Sequence, residues 1–127
     1  MAYTTIDDGS AHFQTALWTG DGNSTQAITN NGNSNLQPDL VWLKRRNGTE
    51  NHTLADTTRG VTKRISSNTT GAEDTNGIAS VQSDGFTVSS SYNGNANGST
   101  YVGWQWKANG GTTASNSNGT ITSTVQA

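Results

Sequence analysis

Six of the seven Lys and Arg residues of this chain fall between positions 44 and 64 and form a basic cluster. Its members are Lys44, Arg45, Arg46, Arg59, Lys63 and Arg64. A nucleic-acid site would also show interleaved aromatic residues or a strongly basic domain, and this chain shows neither. Four acidic residues lie close by in sequence: Glu50, Asp56, Glu73 and Asp74. We therefore interpret the cluster as structural, with Arg–carboxylate pairs between adjacent strands and loops.

Two parts of this cluster have a local explanation. Lys44, Arg45 and Arg46 directly follow an apolar run, where a buried strand would emerge into solvent before the turn dipeptide Asn47-Gly48. Arg59, in the segment ADTTRGV, stands three residues after Asp56 and directly before a glycine. This spacing predicts a turn that is braced by the side chain of Asp56.

The four Trp residues are the next candidates for chemistry, because an indole ring can stack on the apolar face of a sugar. Trp18 precedes the polar segment Thr19–Gly22, so we expect it to be the most exposed of the four, and Trp18 and Trp42 are the candidates if the chain binds glycans. Trp104 and Trp106 alternate with Val102 on one face of a predicted strand. Buried aromatic residues are more often core than ligand platforms, so these three residues, with Leu43, are the predicted core.

We find no pattern that predicts catalysis, a metal site or a cofactor. The chain contains no Cys, and His12 and His52 lie far apart without carboxylates at ligand spacing. Glu73 and Asp74 are adjacent and would point to opposite faces of a strand, which does not suit the paired carboxylates of a glycoside hydrolase. We therefore expect a protein that is not an enzyme.

Composition narrows the classes of partner. The net charge is -2 and only 13% of the residues are charged, which gives no general attraction to nucleic acid or to a membrane surface. The hydrophobic fraction of 29% predicts a thin core. Because burial of apolar surface must offset the entropy of ordering the backbone, we expect homo-oligomerisation or docking on a larger body to supply further buried surface.

Short runs of alternating apolar and polar residues, separated by Gly, Asn and Asp, predict β-strands along the whole chain. Predicted strands are HFQTALWTG, TQAITN, the run Leu40–Leu43 covered on both faces, HTLAD, GVTKRISSN, STYVGWQWK and TITSTVQ. A hairpin is expected to pivot on Ser83-Asp84-Gly85 in ASVQSDGFTVSSS. The segment ANGGTTASNSNG is expected to be a loop or linker. This pattern predicts an all-β protein, an antiparallel β-sandwich or jelly-roll-like single domain.

We predict three parts. Residues 1–11 form an extended N-terminal arm, residues 12–112 form the β-sandwich, and residues 113–127 form a C-terminal linker and strand. Arm and C-terminal segment are expected to dock on neighbouring subunits, because strands outside the main body can pair with the sheet of another chain.

Several segments, taken in order, carry a resemblance to a known family. They are FQTALWTGDGNSTQAITNNGNSNLQPDLVWLKRRNGT, DTTRGVTKRISSNTTGAE, SDGFTV and YVGWQWKANGG. Together they resemble a recurring β domain of uncharacterised virion proteins from marine tailed phages, including phages of cyanobacteria. The resemblance covers about residues 12–112, and the opening MAYTTIDD is also similar to the start of such proteins.

The resemblance implies a structural protein on the surface of a phage particle: a capsid decoration, a surface fibre or a tail component. Its expected partners are other virion proteins and further copies of this chain, without nucleic acid or membrane. The alternative is a glycan-binding adhesion module that recognises a host surface through Trp18, Trp42 and the Gly/Asn-rich loops.

Overall fold

The computed structural model describes residues 7–90, 94–108 and 113–126. Over these ranges the protein is almost entirely β, and the prediction of an all-β, antiparallel sandwich in one small domain is confirmed. No helix in these ranges is long and apolar enough to cross a membrane. Residues 1–6, most of the predicted N-terminal arm, lie outside the described ranges.

Two sheets form the sandwich. In chain order the strands are β1 (Phe13–Thr19), β2 (Thr25–Thr29), β3 (Leu40–Arg45), β4 (Thr53–Asp56), β5 (Ser80–Gln82), β6 (Gly85–Ser89) and β7 (Thr100–Trp106). The first sheet has the order β1-β7-β3-β4, and the second has the order β2-β6-β5. Every neighbouring pair is antiparallel.

The core lies between the sheets and is built from small and medium-sized side chains around one Phe. The four-stranded sheet contributes Ala16, Val41, Leu43 and Ala55, and the three-stranded sheet contributes Ile28, Phe86 and Val88. The prediction that Leu43 is a core residue is confirmed, because its exposure is 2%. Phe86 is fully buried, which stabilises the fold by about 1.5–3 kcal/mol.

The predicted core face of β7 is wrong. Val102, Trp104 and Trp106 are only half-buried and point away from the second sheet, whereas Tyr101 and Gln105 are fully buried. The polar side chain of Gln105 can be buried on the inner face because its Nε2 donates a hydrogen bond to Oδ1 of Asn30 at 2.6 Å.

Gly103 leaves space on the inner face of β7 that apolar rings from other strands fill. A Cβ at this position would lie 3.1 Å from Cζ of Phe86 and 3.2 Å from Cζ3 of Trp18. The absent side chain lets these two large rings pack directly on the backbone of β7. The core volume that the sequence pattern assigns to the Trp residues of β7 is therefore filled by Trp18 and Phe86 from other strands.

The loops show one confirmed and two wrong predictions. The hairpin β5–β6 turns at Ser83-Asp84, and Gly85 has a φ of 104°, where an added Cβ would clash with the carbonyl oxygen of Ile28. GVTKRISSN is not a strand, because only isolated bridges form at Arg64 and Ile65. In the predicted linker, residues Thr113–Asn116 form strand β8, which pairs with β9 (Ser123–Gln126).

Candidate interaction surface

The face of the four-stranded sheet that points away from the core is rich in apolar and aromatic side chains, and we call it the outer face. The strand register arranges its side chains in three rows. They are Phe13, Trp106 and Leu40; then Thr15, Trp104, Trp42 and Leu54; then Leu17, Val102 and Lys44. The run Leu40–Leu43 is therefore not covered on both faces, since Leu40 and Trp42 are half-buried on this one.

The aromatic rings on the outer face contact one another across strands. Phe13 and Trp106 have centroids 5.1 Å apart, and Trp42 and Trp104 have centroids 5.7 Å apart. The planes are inclined by 50° and 61°, respectively, so the rings do not form one flat platform. His52 fixes Trp42 further, because Nδ1 of His52 accepts a hydrogen bond from Nε1 of Trp42 at 2.8 Å.

Exposure on the outer face increases toward its sides. Leu17 is 64% exposed and Phe13 is 41% exposed, both on β1. Ile65, which bridges to Leu54 beside β4, is 42% exposed. The sequence pattern did not predict these three residues as surface features, although the alternation in β1 places Phe13 and Leu17 on one face.

The prediction that Trp18 is an exposed ligand-binding ring is wrong. Its ring stacks on Tyr101 at 5.4 Å and meets the edge of Phe86 at 5.7 Å, and its Nε1 donates to the carbonyl oxygen of Gly94 at 2.9 Å. The side chain is half-buried and packs against the core. Trp18 and Trp42 lie on opposite faces of the sheet, so the two predicted glycan-binding residues do not form one site.

Four of the six members of the basic cluster form ion pairs with carboxylates, as the sequence predicts: Arg45, Arg59, Lys63 and Arg64. Arg45 pairs with Glu50, and the Nζ of Lys44 donates to the carbonyl oxygens of Arg45 and Gly48 at 2.7 and 3.0 Å. Lys63 pairs with Glu73 at 3.4 Å. Arg46 is exposed, and its backbone N–H donates to the carbonyl oxygen of Thr100 at 2.7 Å.

The predicted turn at Arg59 is confirmed. Oδ1 of Asp56 accepts from the backbone N–H of Arg59 at 2.8 Å, and Oδ2 accepts from its Nε at 2.6 Å. The other end of the guanidinium donates to Glu73 at 3.0 Å and to the carbonyl oxygen of Leu54 at 3.0 Å. One side chain therefore joins the turn to the end of β4 and to a later loop.

Residues 59–74 cover the free side of β4, and we call this side the guarded edge. Leu54 and Ile65 exchange backbone hydrogen bonds at 3.0 and 3.2 Å, and Arg64 and Asp74 do the same at 2.9 and 3.1 Å. The guanidinium of Arg64 also donates from Nε and Nη2 to the carboxylate of Asp74 at 2.9 to 3.0 Å. Charged side chains and paired backbone thus prevent another strand from adding to β4.

The opposite side of the same sheet ends at β1, and we call the backbone of Phe13, Thr15 and Leu17 there the open edge. At the two ends of the β1–β7 ladder, His12 bonds to Lys107 and Gly20 bonds to Ser99. Because paired positions alternate along an antiparallel ladder, the odd-numbered residues of β1 direct N–H and C=O away from β7. Within the described ranges, these groups of Phe13, Thr15 and Leu17 have no protein partner.

Carboxylates on the two sides owe their low pKa to different donors. Hydrogen bonds from Arg59 and Arg64 lower the pKa of Glu73 and Asp74, respectively. By contrast, the hydroxyl of Ser10 lowers the pKa of Asp8, and the backbone N–H of Asn23 lowers the pKa of Asp21. Charged partners act at the guarded edge, and neutral donors act next to β1.

A cleft of about 250 Å³ lies along β1, lined by Thr15, Ala16, Leu17, Thr29 and Asn31. Its size is below that of most small-molecule sites. Among the residues that the structure describes, no group of three or more His, Asp and Glu side chains is placed to hold a metal ion. The open edge therefore offers unpaired backbone groups beside the exposed apolar side chains of Phe13 and Leu17.

A family model described as a domain of unknown function, DUF7483, matches residues 8–127. No curated protein and no solved structure matches the chain significantly.

Proposed function

The chain belongs to the DUF7483 family, and we propose that it is a non-enzymatic structural domain of a phage particle, as a capsid decoration, a surface fibre or a tail component. The open edge next to the apolar outer face is the observation that carries the assembly role, and the placement on a phage particle rests on the resemblance of about residues 12–112 to virion proteins. A domain that presents unpaired backbone groups beside exposed Phe13 and Leu17 is suited to repeated contacts with other protein chains.

The use of charge supports the same proposal. Glu50, Asp56, Glu73 and Asp74 are all engaged with arginines of the basic cluster. Charged groups that stabilise the fold in this way act as scaffold, and the open edge offers partners unpaired backbone groups beside the exposed side chains of Phe13 and Leu17. Contacts of this kind are modest singly and become strong when many copies assemble.

Two measurements test the proposal together. Mass spectrometry of purified phage particles should detect this chain, and analytical ultracentrifugation of the isolated chain should show a weight-average mass above the 13.3 kDa monomer at high concentration. Host proteins known to co-purify with particles serve as the contamination control. A strictly monomeric chain that is also missing from washed particles would contradict the proposal.

Glycan binding remains a second candidate, with Trp42 as the sequence predicts and Trp104 in place of Trp18. It is favoured by the partly exposed indoles of Trp42 and Trp104 on the outer face. A glycan array with the wild type and Trp42→Ala tests it. The matched control is Val102→Ala, on the same face but without a ring. Signal that is lost in Trp42→Ala and kept in Val102→Ala would support this function, and signal equal in both variants would exclude Trp42.

A further inference from the structure

The strand β1 has none of the features by which proteins protect the edge of a sheet. Its sequence FQTALWT contains no charged residue and no Pro. Natural edge strands are usually short, charged, bulged or covered, because a long neutral edge pairs with other chains. The guarded edge of the same sheet carries such protection, so its absence at β1 is specific to one side of this sheet.

We propose that the open edge pairs with the open edge of a second copy of this chain, antiparallel and centred on Thr15. This inference rests on the proposed assembly role and names the contact that would carry it. In this register Phe13 lies opposite Leu17 of the partner copy, and Thr15 lies opposite its own counterpart. The two four-stranded sheets then become one continuous sheet with a two-fold axis at Thr15.

The backbone geometry fits a self-pairing because the outward groups belong to odd-numbered residues in both copies. Phe13, Thr15 and Leu17 then meet their counterparts at hydrogen-bonded positions and exchange about six N–H···O=C bonds. No residue has to change conformation to expose these groups, since they already point away from β7.

Side chains on the outer face also favour a second copy of this chain as the partner of β1. Residues opposite each other in an antiparallel pair project to the same face, so Phe13 of one copy contacts Leu17 of the other, twice per dimer. These are the two exposed large hydrophobic side chains of β1, at 41% and 64% exposure. The pairing therefore covers apolar surface that a monomer leaves in water, and no charge on β1 opposes it.

A contact between two seven-residue strands is small compared with stable protein interfaces, which bury about 1,200–2,000 Å². We therefore expect a weak, reversible dimer with a dissociation constant between about 10 µM and 1 mM. In an assembly that holds many copies close together, the effective concentration reaches the millimolar range, where such a contact is occupied.

Single cysteines test the register directly, because the chain contains no native Cys. In the proposed dimer the two Cα atoms of residue 15 are about 5.5 Å apart, within the range of disulfides. Thr15→Cys should oxidise to a covalent dimer at least about tenfold faster than the exposed control Thr69→Cys. Ala27→Cys, on the exposed edge strand β2, reports pairing through the other sheet.

Opposite charges provide a second test that does not depend on oxidation. Thr15→Lys and Thr15→Glu should each shift the dimer to at least about tenfold higher concentration in sedimentation velocity, because like charges then face each other. An equimolar mixture of the two variants should associate again, since Lys faces Glu. Thermal unfolding of each variant by circular dichroism confirms that both are folded.

The outcomes separate this inference from the proposed function. If the wild type associates and is found in particles but none of the Thr15 variants changes the association, the β1 pairing is wrong and the assembly role stands. Equal oxidation of Thr15→Cys and Thr69→Cys, or faster oxidation of Ala27→Cys, would likewise overturn it. A wild type that stays monomeric at 1 mM yet occurs in particles would overturn the self-pairing and leave the assembly role standing.

Discussion

The two edge strands of the four-stranded sheet differ in how their outward backbone N–H and C=O groups are treated. At the guarded edge, Leu54 is paired to Ile65, and Arg59 and Arg64 hold three carboxylates around that pairing. At the open edge, Phe13, Thr15 and Leu17 have no backbone partner within the described ranges and β1 carries no charge. Because only one edge of this sheet is protected, the open edge is the one available for the pairing with another chain that we propose.

Among the charged side chains of the guarded edge, the largest effect is expected at Arg64. Its side chain is 13% exposed and makes a bidentate pair with Asp74, so Arg64→Ala removes charge-assisted hydrogen bonds from a mostly buried group. We expect a loss of about 2 kcal/mol in the free energy of unfolding, measured by urea denaturation. Arg46→Ala is the matched control: this exposed residue of the same cluster should change stability by less than about 0.5 kcal/mol. Equal losses would show that the guarded edge does not depend on its ion pairs.

Replacement of Arg59 tests whether the guarded edge depends on the shape of the guanidinium or only on its charge. Arg59→Lys keeps the charge but cannot reach Asp56, Glu73 and the carbonyl oxygen of Leu54 at once. We expect Arg59→Lys to lose about 1 kcal/mol, most of the loss of Arg59→Ala, in the same denaturation experiment. A lysine variant as stable as the wild type would mean that charge alone, and not the shape of the guanidinium, holds the turn.

Acid should weaken both sides, because carboxylates on each have a lowered pKa, whereas salt should act differently on them. The pKa of Glu73 lies below its ordinary 4.5 and that of Asp74 below its ordinary 3.8, because of Arg59 and Arg64. Both are lower in the folded state, so their stabilisation is complete above these ordinary values and is lost as the pH falls through the folded pKa values.

The salt dependence of individual carboxyl titrations, followed by NMR, distinguishes the two mechanisms. In 1 M NaCl the pKa of Glu73 should rise toward its ordinary value, because the field of Arg59 is screened. The pKa of Asp21 should change less, since backbone and amide hydrogen bonds from Asn23 and Asn95 lower it. Identical salt shifts at both residues would contradict the distinction between charged and neutral donors.

The smallest effect on the isolated fold is expected at the open edge itself. Thr15 is exposed on β1, and Thr15→Lys should change the free energy of unfolding by less than about 0.5 kcal/mol at concentrations where the chain is monomeric. A buried position on the same strand, as in Ala16→Lys, should cost several kcal/mol because a charge enters the core. If Thr15→Lys destabilised the monomer as strongly, β1 would be part of the protected structure.

Sequence periodicity predicted most strands but assigned faces less well. The alternation of Phe13, Thr15 and Leu17 and the turn at Ser83-Asp84-Gly85 are local properties, and the structure has them as expected. In β7 the alternation is equally clear, yet the more apolar set points outward. Which face is buried depends on Phe86 and Trp18, which come from distant parts of the chain and fill the space above Gly103.

The sequence by itself determined that this chain forms short antiparallel strands around a thin core, and that its basic residues sit near acidic partners. Backbone propensity, turn residues and charge spacing act over a few residues, so they can be read along the chain. Only the tertiary structure decided that Trp18 is packed inside while Trp42 and Trp104 lie outside, and that β4 is covered while β1 is open. Those features depend on strand order and on contacts between distant segments, and local periodicity carries no information about either.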